Sequence, residues 1–483
     1  MESRLDRRKP SLQIRLSKKI VFFSTKTKLF ISGLILFGLF IALNQDLSYS
    51  AKISLYLFII AMVLWVSTSL PAGFVALSAL MTIVLLKGAD TSLLYESFSE
   101  EVVWLMIGSF IIGEAVRSSG LASRFTHLIL KKAYEPLKLL TFLTIALQPL
   151  VFFIPSTSGR AALSLPIVKE LNRLFQTERQ QKTIAMLVPI MILMGSSATL
   201  IGAGSHIIGI GLLNTSTGES ISYFNWFIWG MPFVLVISVL TLFIMRYMFW
   251  SYEPLLSDSF STNVEEKSVV LHDTEKKTLW MIALLIVFWM TENVHGYDIG
   301  FITMIGGLLF MVPKYGVITW KQGIKSISWN LIVFVAAATA LGKGLIETGV
   351  VDWLQGYLFR HLDFLTEASS FIILLVILLV SVTSHLYITS HTTRAVMMIP
   401  GFIVLSETFG LDSSTVVFLS LVGMNYCVTF PVSSKALLLY YEDDRVSYDA
   451  KDLLKLSCVL MPLYIVVMVI FYYTYWRWTG LTL

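Results

Sequence analysis

Residues 156–166 read STSGRAALSLP, and residues 390–400 read SHTTRAVMMIP. Four residue types recur at equal spacing: Ser156 with Ser390, Arg160 with Arg394, Ala161 with Ala395 and Pro166 with Pro400. Each copy lies within a long apolar stretch, 138–173 and 368–407, that is interrupted near its middle. The likeness extends outward. VVWLMIGSFIIGEAVRSSG, ending at Gly120, matches NLIVFVAAATALGKGLIETG, ending at Gly349, so that Gly113 falls on Gly342 and Glu114 on Lys343. SSATLIGAGSH from Ser196 sits opposite NYCVTFPVSSK from Asn425. Two apolar sequences can align by chance, but matched Ser, Arg and Pro with matched flanks point to an internal repeat.

The composition identifies the solvent. Of 483 residues 56% are apolar and 14% charged, and the mean hydropathy is +0.76. A soluble chain carries nearer a quarter charged residues. The apolar runs approach the roughly 20 residues that a helix needs to cross a bilayer. Lipid offers no hydrogen bonds, so such runs must be helical, and the short alternating segments of a β-barrel are missing. The expected class is an all-α polytopic membrane protein. Two cysteines, Cys427 and Cys458, are too few for a disulfide framework. No HExxH, CxxC, P-loop or GxSxG pattern occurs, which argues against an enzyme and against ATP-driven transport by this chain.

Charge placement orders the spans. Residues 1–26 read as a cytoplasmic basic arm, with Arg4, Arg7, Arg8, Lys9, Arg15, Lys18 and Lys19 set against anionic headgroups. This arm supplies much of the net charge of +5 and is no sign of nucleic-acid binding. Helices of a scaffold follow over 27–118, then elements of a first repeat over 119–250, with a hairpin at 138–173 and a broken helix at 183–213. A cytoplasmic loop spans 251–277. Second scaffold helices cover 278–362, and second repeat elements cover 363–483, with a hairpin at 368–407 and a broken helix at 412–440. With Lys and Arg concentrated on the inner side, the count closes at about eleven transmembrane helices plus two re-entrant hairpins. The N-terminus is then cytoplasmic and the repeats are inverted, in a multi-pass protein of the cell membrane.

Paired interrupted segments in two repeats point to a transporter's central site. The tips carry Ser156, Thr157 and Ser158, then Ser390, His391 and Thr392. A helix beginning after each tip aims free N–H groups and its positive dipole end at it. Two such ends meeting would hold a small anion, although the same hydroxyls also serve as ordinary caps. The breaks hold Ser197, Thr199, Gly202, Thr429 and Ser433, whose freed backbone carbonyls suit a cation; Gly and Pro there also suit a plain kink. Arg160, Arg394, His206 and Lys435 are functional candidates because charge in a membrane span is costly. Two roles are open to the arginines: gripping the substrate, or bonding backbone carbonyls to brace the hairpins.

These motifs resemble the divalent-anion:sodium symporters, which include sodium:dicarboxylate and sodium:sulfate carriers, over roughly residues 50–476. The family motif is Ser-Asn-Thr, usually followed by Ala-Thr. The corresponding triplets are Ser156-Thr157-Ser158 and Ser390-His391-Thr392; both Asn positions differ, and Arg160 and Arg394 replace a small hydroxyl residue. The resemblance implies that the triplets bind substrate and help form two sodium sites. It also implies a homodimer with a fixed scaffold and a moving transport domain, working as an elevator. The expected function is secondary transport of a small anion of the di/tricarboxylate or sulfate class, with membrane lipid as the other partner. Sodium is the coupling ion the family implies; a sodium-independent exchanger, or proton coupling through His391 or His206, stays open on these residues. Arsenite and sodium/proton antiporters of the wider superfamily favour intramembrane Asp or Glu, which the hairpins lack except at their ends.

Overall fold

A computed structural model describes residues 25–68, 70–121, 136–154, 156–172, 175, 177–250, 272–361 and 369–483. The basic arm, except for its last two residues, and the connections 122–135, 251–271 and 362–368 lie outside the described residues. All regular structure among the described residues is helical. In chain order the main helices are α1 (Thr25–Leu43), α2 (Tyr49–Ser67), α3 (Ala72–Leu85), α4 (Glu101–Ser119), α5 (Pro136–Leu147) and α6 (Thr157–Asn172). Next come α7 (Glu178–Gly195), α8 (Gly204–Thr217), α9 (Tyr223–Phe249), α10 (Asp273–Met290), α11 (Ile299–Met311) and α12 (Trp329–Glu347). Then follow α13 (Val350–His361), α14 (Ser370–Thr383), α15 (His391–Phe409), α16 (Ser413–Met424), α17 (Lys435–Tyr441) and α18 (Ala450–Thr474). The chain divides into two units, Met1–Gln45 and Asp46–Leu483. The first holds the apolar helix α1, and everything below concerns the second.

Six helical stretches are long and apolar enough to cross a bilayer: Tyr49–Ser67, Ser92–Ser119, Glu178–Ala198, Tyr223–Phe249, Trp329–Glu347 and Ala450–Thr474. Helices Ala72–Leu85 and Ile299–Met311, at 14 and 13 residues, are shorter than that. Large side chains such as Leu85, Trp280, Val466 and Ile470 stand exposed. Apolar surface on that scale needs lipid to cover it. The protein is a multi-pass membrane protein.

Inside, α4 packs on α11 and α3 on α12, forming one group of helices. Gly108 makes the first contact possible, because a Cβ there would lie 2.7 Å from the Thr303 carbonyl oxygen. Thr303 also accepts a 3.0 Å bond from the Trp289 indole of α10. A second group is built on α7 and α16. Both are buried nearly end to end; α7 packs against α6, α9 and α17, and α16 against α14, α15 and α8. Helix α8 touches α4 and α12, so the two groups meet along it.

The repeat seen in the sequence reappears as local geometry. Helices α4 and α12 have 19 residues each, and glycines in the left-handed region follow them, Gly120 at φ 88° and Gly349 at φ 79°. Two breaks share one backbone course, a three-residue 3₁₀ turn between extended residues. Thr199 and Ala203 flank residues 200–202, with φ/ψ of −136°/153° and −146°/143°. Phe430 and Ser434 flank Pro431–Ser433, at −127°/149° and −151°/141°. The dihedrals therefore pair Thr199 with Phe430, two residues away from the pairing of Ser196 with Asn425 that identity suggests. Pro431 at the start of the second turn sets the backbone there, whereas identity matching followed the small residues.

Gly108→Val should force α4 off α11 and lower stability by about 1–3 kcal/mol, the usual range for overpacking. Gly401→Ala, with nothing within 4 Å of the added carbon, should cost nothing. Thermal melts of the purified proteins in one detergent would check both.

Candidate functional site

The two tips are built alike. Ser156 Oγ accepts from the Gly159 amide at 3.2 Å, and Ser390 Oγ from the Thr393 amide at 3.3 Å. Ser156 Oγ lies 3.1 Å from Ser158 Oγ, and Ser390 Oγ lies 3.1 Å from Thr392 Oγ1. Each serine thus caps the helix that follows, which satisfies one of its free N–H groups. Its own carbonyl accepts from Arg160 N at 2.9 Å or Arg394 N at 3.0 Å. The hydroxyl pairs leave protons and lone pairs free to turn toward a ligand.

Both tips line one cavity of about 560 Å³. Ser156, Thr157, Ser158, Ser390, His391, Thr392 and Lys435 all reach its wall. So do Ala203, Gly204, Ser205 and Ser434 from the breaks, and Met106, Ser109, Phe110, Ser328 and Leu331 from the α4–α12 group. Four helices begin on this wall: α6 at Thr157, α8 at Gly204, α15 at His391 and α17 at Lys435. Each start contributes unsatisfied N–H groups and the positive end of a peptide dipole. Exposed Lys435 adds a full positive charge. Among the described residues no carboxylate lines the cavity. Such a wall attracts anions.

Behind the wall the breaks are closed by hydrogen-bond donors. Trp226 Nε1 donates to the Ser197 carbonyl at 3.0 Å, and Arg160 Nη2 to the Gly202 carbonyl at 2.6 Å. His206 Nδ1 lies 3.3 Å from the Thr199 carbonyl, and its Nε2 meets Asn425 Nδ2. Asn425 also donates to Ser197 Oγ at 2.7 Å, which ties the two breaks together. In the second break, His385 Nε2 and Ser457 Oγ each lie 2.6 Å from Thr429 Oγ1. Gly202 and Gly230 allow this density, because a Cβ at either would overlap the carbonyl oxygen of Ser196 or Ser197.

Ser197, Thr199, Gly202, His206, Thr429 and Ser433 are therefore in the layer behind the cavity and not on its wall. The same holds for Arg160 and Arg394, which are 1% and 0% exposed. Among the described residues no oxygen acceptor meets Arg394 Nε, Nη1 or Nη2, and the Cys427 thiol is the polar group beside its guanidinium. Cys427 Sγ in turn is 3.1 Å from His391 Nε2. Glu114 pairs with Arg117 at 2.7 Å and Lys343 with Glu96 at 2.9 Å, both away from the cavity. Asn425, Trp226 and Ser457 are supports of the breaks that sequence reasoning missed, whereas His385, read from the sequence as a residue of the arm leading to the second tip that could equally be a hydrogen-bonded structural one, is hydrogen-bonded there. Asn425 is a polar residue in an apolar run and carried some signal, whereas nothing local to Trp226 marks it as a donor to a residue 29 positions away.

Helices this apolar require a bilayer, and a polar cavity walled by helix ends inside such a bundle is the architecture of a membrane transporter. Residues 24–482 match the family described as the sodium:sulfate symporter transmembrane region, and the chain belongs to that family. It is a transporter and not an enzyme. It is 23% identical over 503 residues to the sodium-dependent dicarboxylate transporter SdcS of Staphylococcus saprophyticus, covering 95% of both chains. It is 21% identical over 357 residues to a citrate/succinate antiporter of Escherichia coli, covering 71% of this chain and 72% of that one. The YdaH transporter of Alcanivorax borkumensis shares the fold, with a TM-score of 0.61 at 12% identity, over 89% of this chain and 99% of the other.

Trp226→Phe keeps the ring contacts with His206 and Phe418 but removes the donor to Ser197. A buried carbonyl left without a partner costs about 1–3 kcal/mol. The melting temperature of the purified variant should fall accordingly; an unchanged melt would show that the break does not need this bond.

Proposed function

We propose that this chain is a secondary transporter of a small di- or tricarboxylate, held between the two tips. The observation that carries the reading is the cavity itself, where Ser156–Ser158, Ser390–Thr392 and four helix starts share one wall. A carboxylate accepts hydrogen bonds at both oxygens, and hydroxyls and amides on opposite sides suit a ligand with an acidic group at each end. A cavity of about 560 Å³ is wider than tetrahedral sulfate needs and takes the longer carboxylates. The names of the relatives, a dicarboxylate transporter and a citrate/succinate antiporter, point the same way.

The transport step is an elevator movement. Tips and breaks belong to helices packed around α7 and α16, while Ser109, Phe110 and Leu331 face them from the α4–α12 group. A site with one wall on each group opens when one group slides past the other. Under this reading, residues 138–173 and 368–407 form re-entrant hairpins in two inverted repeats, and α2–α4 and α10–α12 belong to the static scaffold. The protein works as a homodimer in the cell membrane, with its N-terminus on the cytoplasmic side, where the positive-inside rule puts Lys and Arg.

Replacing Ser156 or Ser390 by Phe should abolish uptake of radiolabelled succinate or citrate into proteoliposomes, while yield and gel-filtration profile stay those of the parent. The bulky ring would fill the cavity between the tips. Uptake at the parental rate in both variants would take the tips out of the mechanism.

A further inference from the structure

The breaks are where a sodium-coupled transporter would offer oxygen ligands to its cation, because a broken helix frees backbone carbonyls. In the first break of this chain those oxygens are already engaged by N–H groups. The Gly202 carbonyl accepts from the Arg160 guanidinium, the Ser197 carbonyl from the Trp226 indole, and the Thr199 carbonyl faces the His206 ring. Ser197 Oγ accepts from Asn425, and Thr429 Oγ1 is held between His385 and Ser457. Thr199 Oγ1, Ser205 Oγ and Ser433 Oγ remain without partners. These neutral hydroxyls donate to an anion as readily as they accept a cation. A cation at the Gly202 oxygen would also sit against a fixed like charge in a region of low dielectric.

Arg394 adds the second observation. Its guanidinium is fully buried, has the Cys427 thiol beside it but no oxygen acceptor at Nε, Nη1 or Nη2, and among the described residues meets no carboxylate. A buried charge with no counter-charge is strongly disfavoured unless something supplies one. It sits one helical turn beyond the Ser390 tip, as Arg160 sits one turn beyond the Ser156 tip. The cavity wall in front of them holds hydroxyls, amides, His391 and Lys435, and no acidic group among the described residues.

Building on the anion-transport reading, we propose that Arg160 and Arg394 stand where bound sodium would otherwise supply charge, so that this chain binds and moves its anion without sodium. The counter-charge missing from Arg394 is then the substrate itself, whose negative charge is balanced from behind both tips. A guanidinium cannot be released in the transport cycle as a cation can. The natural operating mode is therefore exchange of one anion for another, with the loaded carrier close to neutral and the empty one carrying unbalanced charge.

The test uses the purified full-length protein. Thermal stabilisation by succinate, citrate and sulfate is measured in sodium chloride and in N-methylglucamine chloride, followed by exchange of labelled against unlabelled anion in proteoliposomes in the same two salts. Stabilisation and exchange should be equal in both. In sodium-free buffer Arg394→Thr and Arg160→Thr should each weaken anion binding at least about tenfold, in keeping with loss of one partner of a buried charge pair. Arg394→Lys, which keeps the charge, should retain binding that is sodium-independent even if weaker. Anion stabilisation of the parent that appears only with sodium overturns this inference and leaves the transport reading standing, as does unchanged sodium-free affinity in both Thr variants. If Arg→Thr proteins do not fold, the parent and the Lys variant still decide. No stabilisation and no exchange with any of the three anions in either salt would overturn the transport reading and the inference together.

Discussion

A polypeptide that interrupts a helix inside hydrocarbon must find partners for the backbone groups it releases, since lipid supplies none. That requirement governs this molecule. The breaks at residues 196–203 and 425–434 release carbonyls at Ser197, Thr199 and Gly202 that meet an indole, an imidazole and a guanidinium. Each of those donors is large and comes from another element or from beyond the break. Holding them fixes how α6 and α9 sit against α7, and Asn425 then joins the first break to the second. The aromatic stack of Trp226, Phe418, Trp229 and Trp476 packs against the same region. A need to satisfy a few backbone oxygens thus accounts for much of the arrangement of the buried half of the chain.

The character of the cavity follows from the same economy. Where carbonyls are answered by donors behind the wall, the wall itself is left with the opposite ends of the helices: amide N–H groups, serine and threonine hydroxyls, and Lys435. The result is a site that favours negative charge, with no side-chain carboxylate among the described residues of its wall to oppose it. Its two capped tips match in bond lengths to within 0.1 Å, so a ligand with similar groups at its two ends meets similar surroundings at both.

Much of this was legible in the sequence because it rests on local chemistry. Ser156 and Ser390 announce caps, Pro and Gly mark the interruptions, and apolar runs of about 20 residues identify the bilayer. The seven residues Ser156, Thr157, Ser158, Ser390, His391, Thr392 and Lys435 meet at one wall. What the sequence did not show depends on direction and distance. Arg160 is in helical phase with its tip, yet its side chain turns back to Gly202, 42 residues on, because that oxygen needs a donor more than the cavity does. The pairing of His385 with Thr429 spans 44 residues, and that of Asn425 with His206 spans 219. No periodicity encodes such contacts. The two-residue shift in the repeat likewise arises from Pro431, whose ring fixes a turn that residue matching ignores.

Arg160's bond to Gly202 has a bearing on how the chain is made. A lone arginine entering the centre of a bilayer costs about 2.5–3.5 kcal/mol on the insertion scale, so the segment that carries it does not settle stably until its acceptor has emerged. Gly202 follows within the same repeat, and the Trp226 donor comes 24 residues after that. The first half can therefore close its carbonyls at Gly202 and Ser197 while the ribosome is still synthesising the second. Arg394 has the Cys427 thiol beside it where Arg160 has a carbonyl, and Asn425, which bridges the halves, is made late. Arg160 can thus be satisfied from within its own repeat, whereas the bonds of Ser197 and His206 to Asn425 form only once the second repeat is in place.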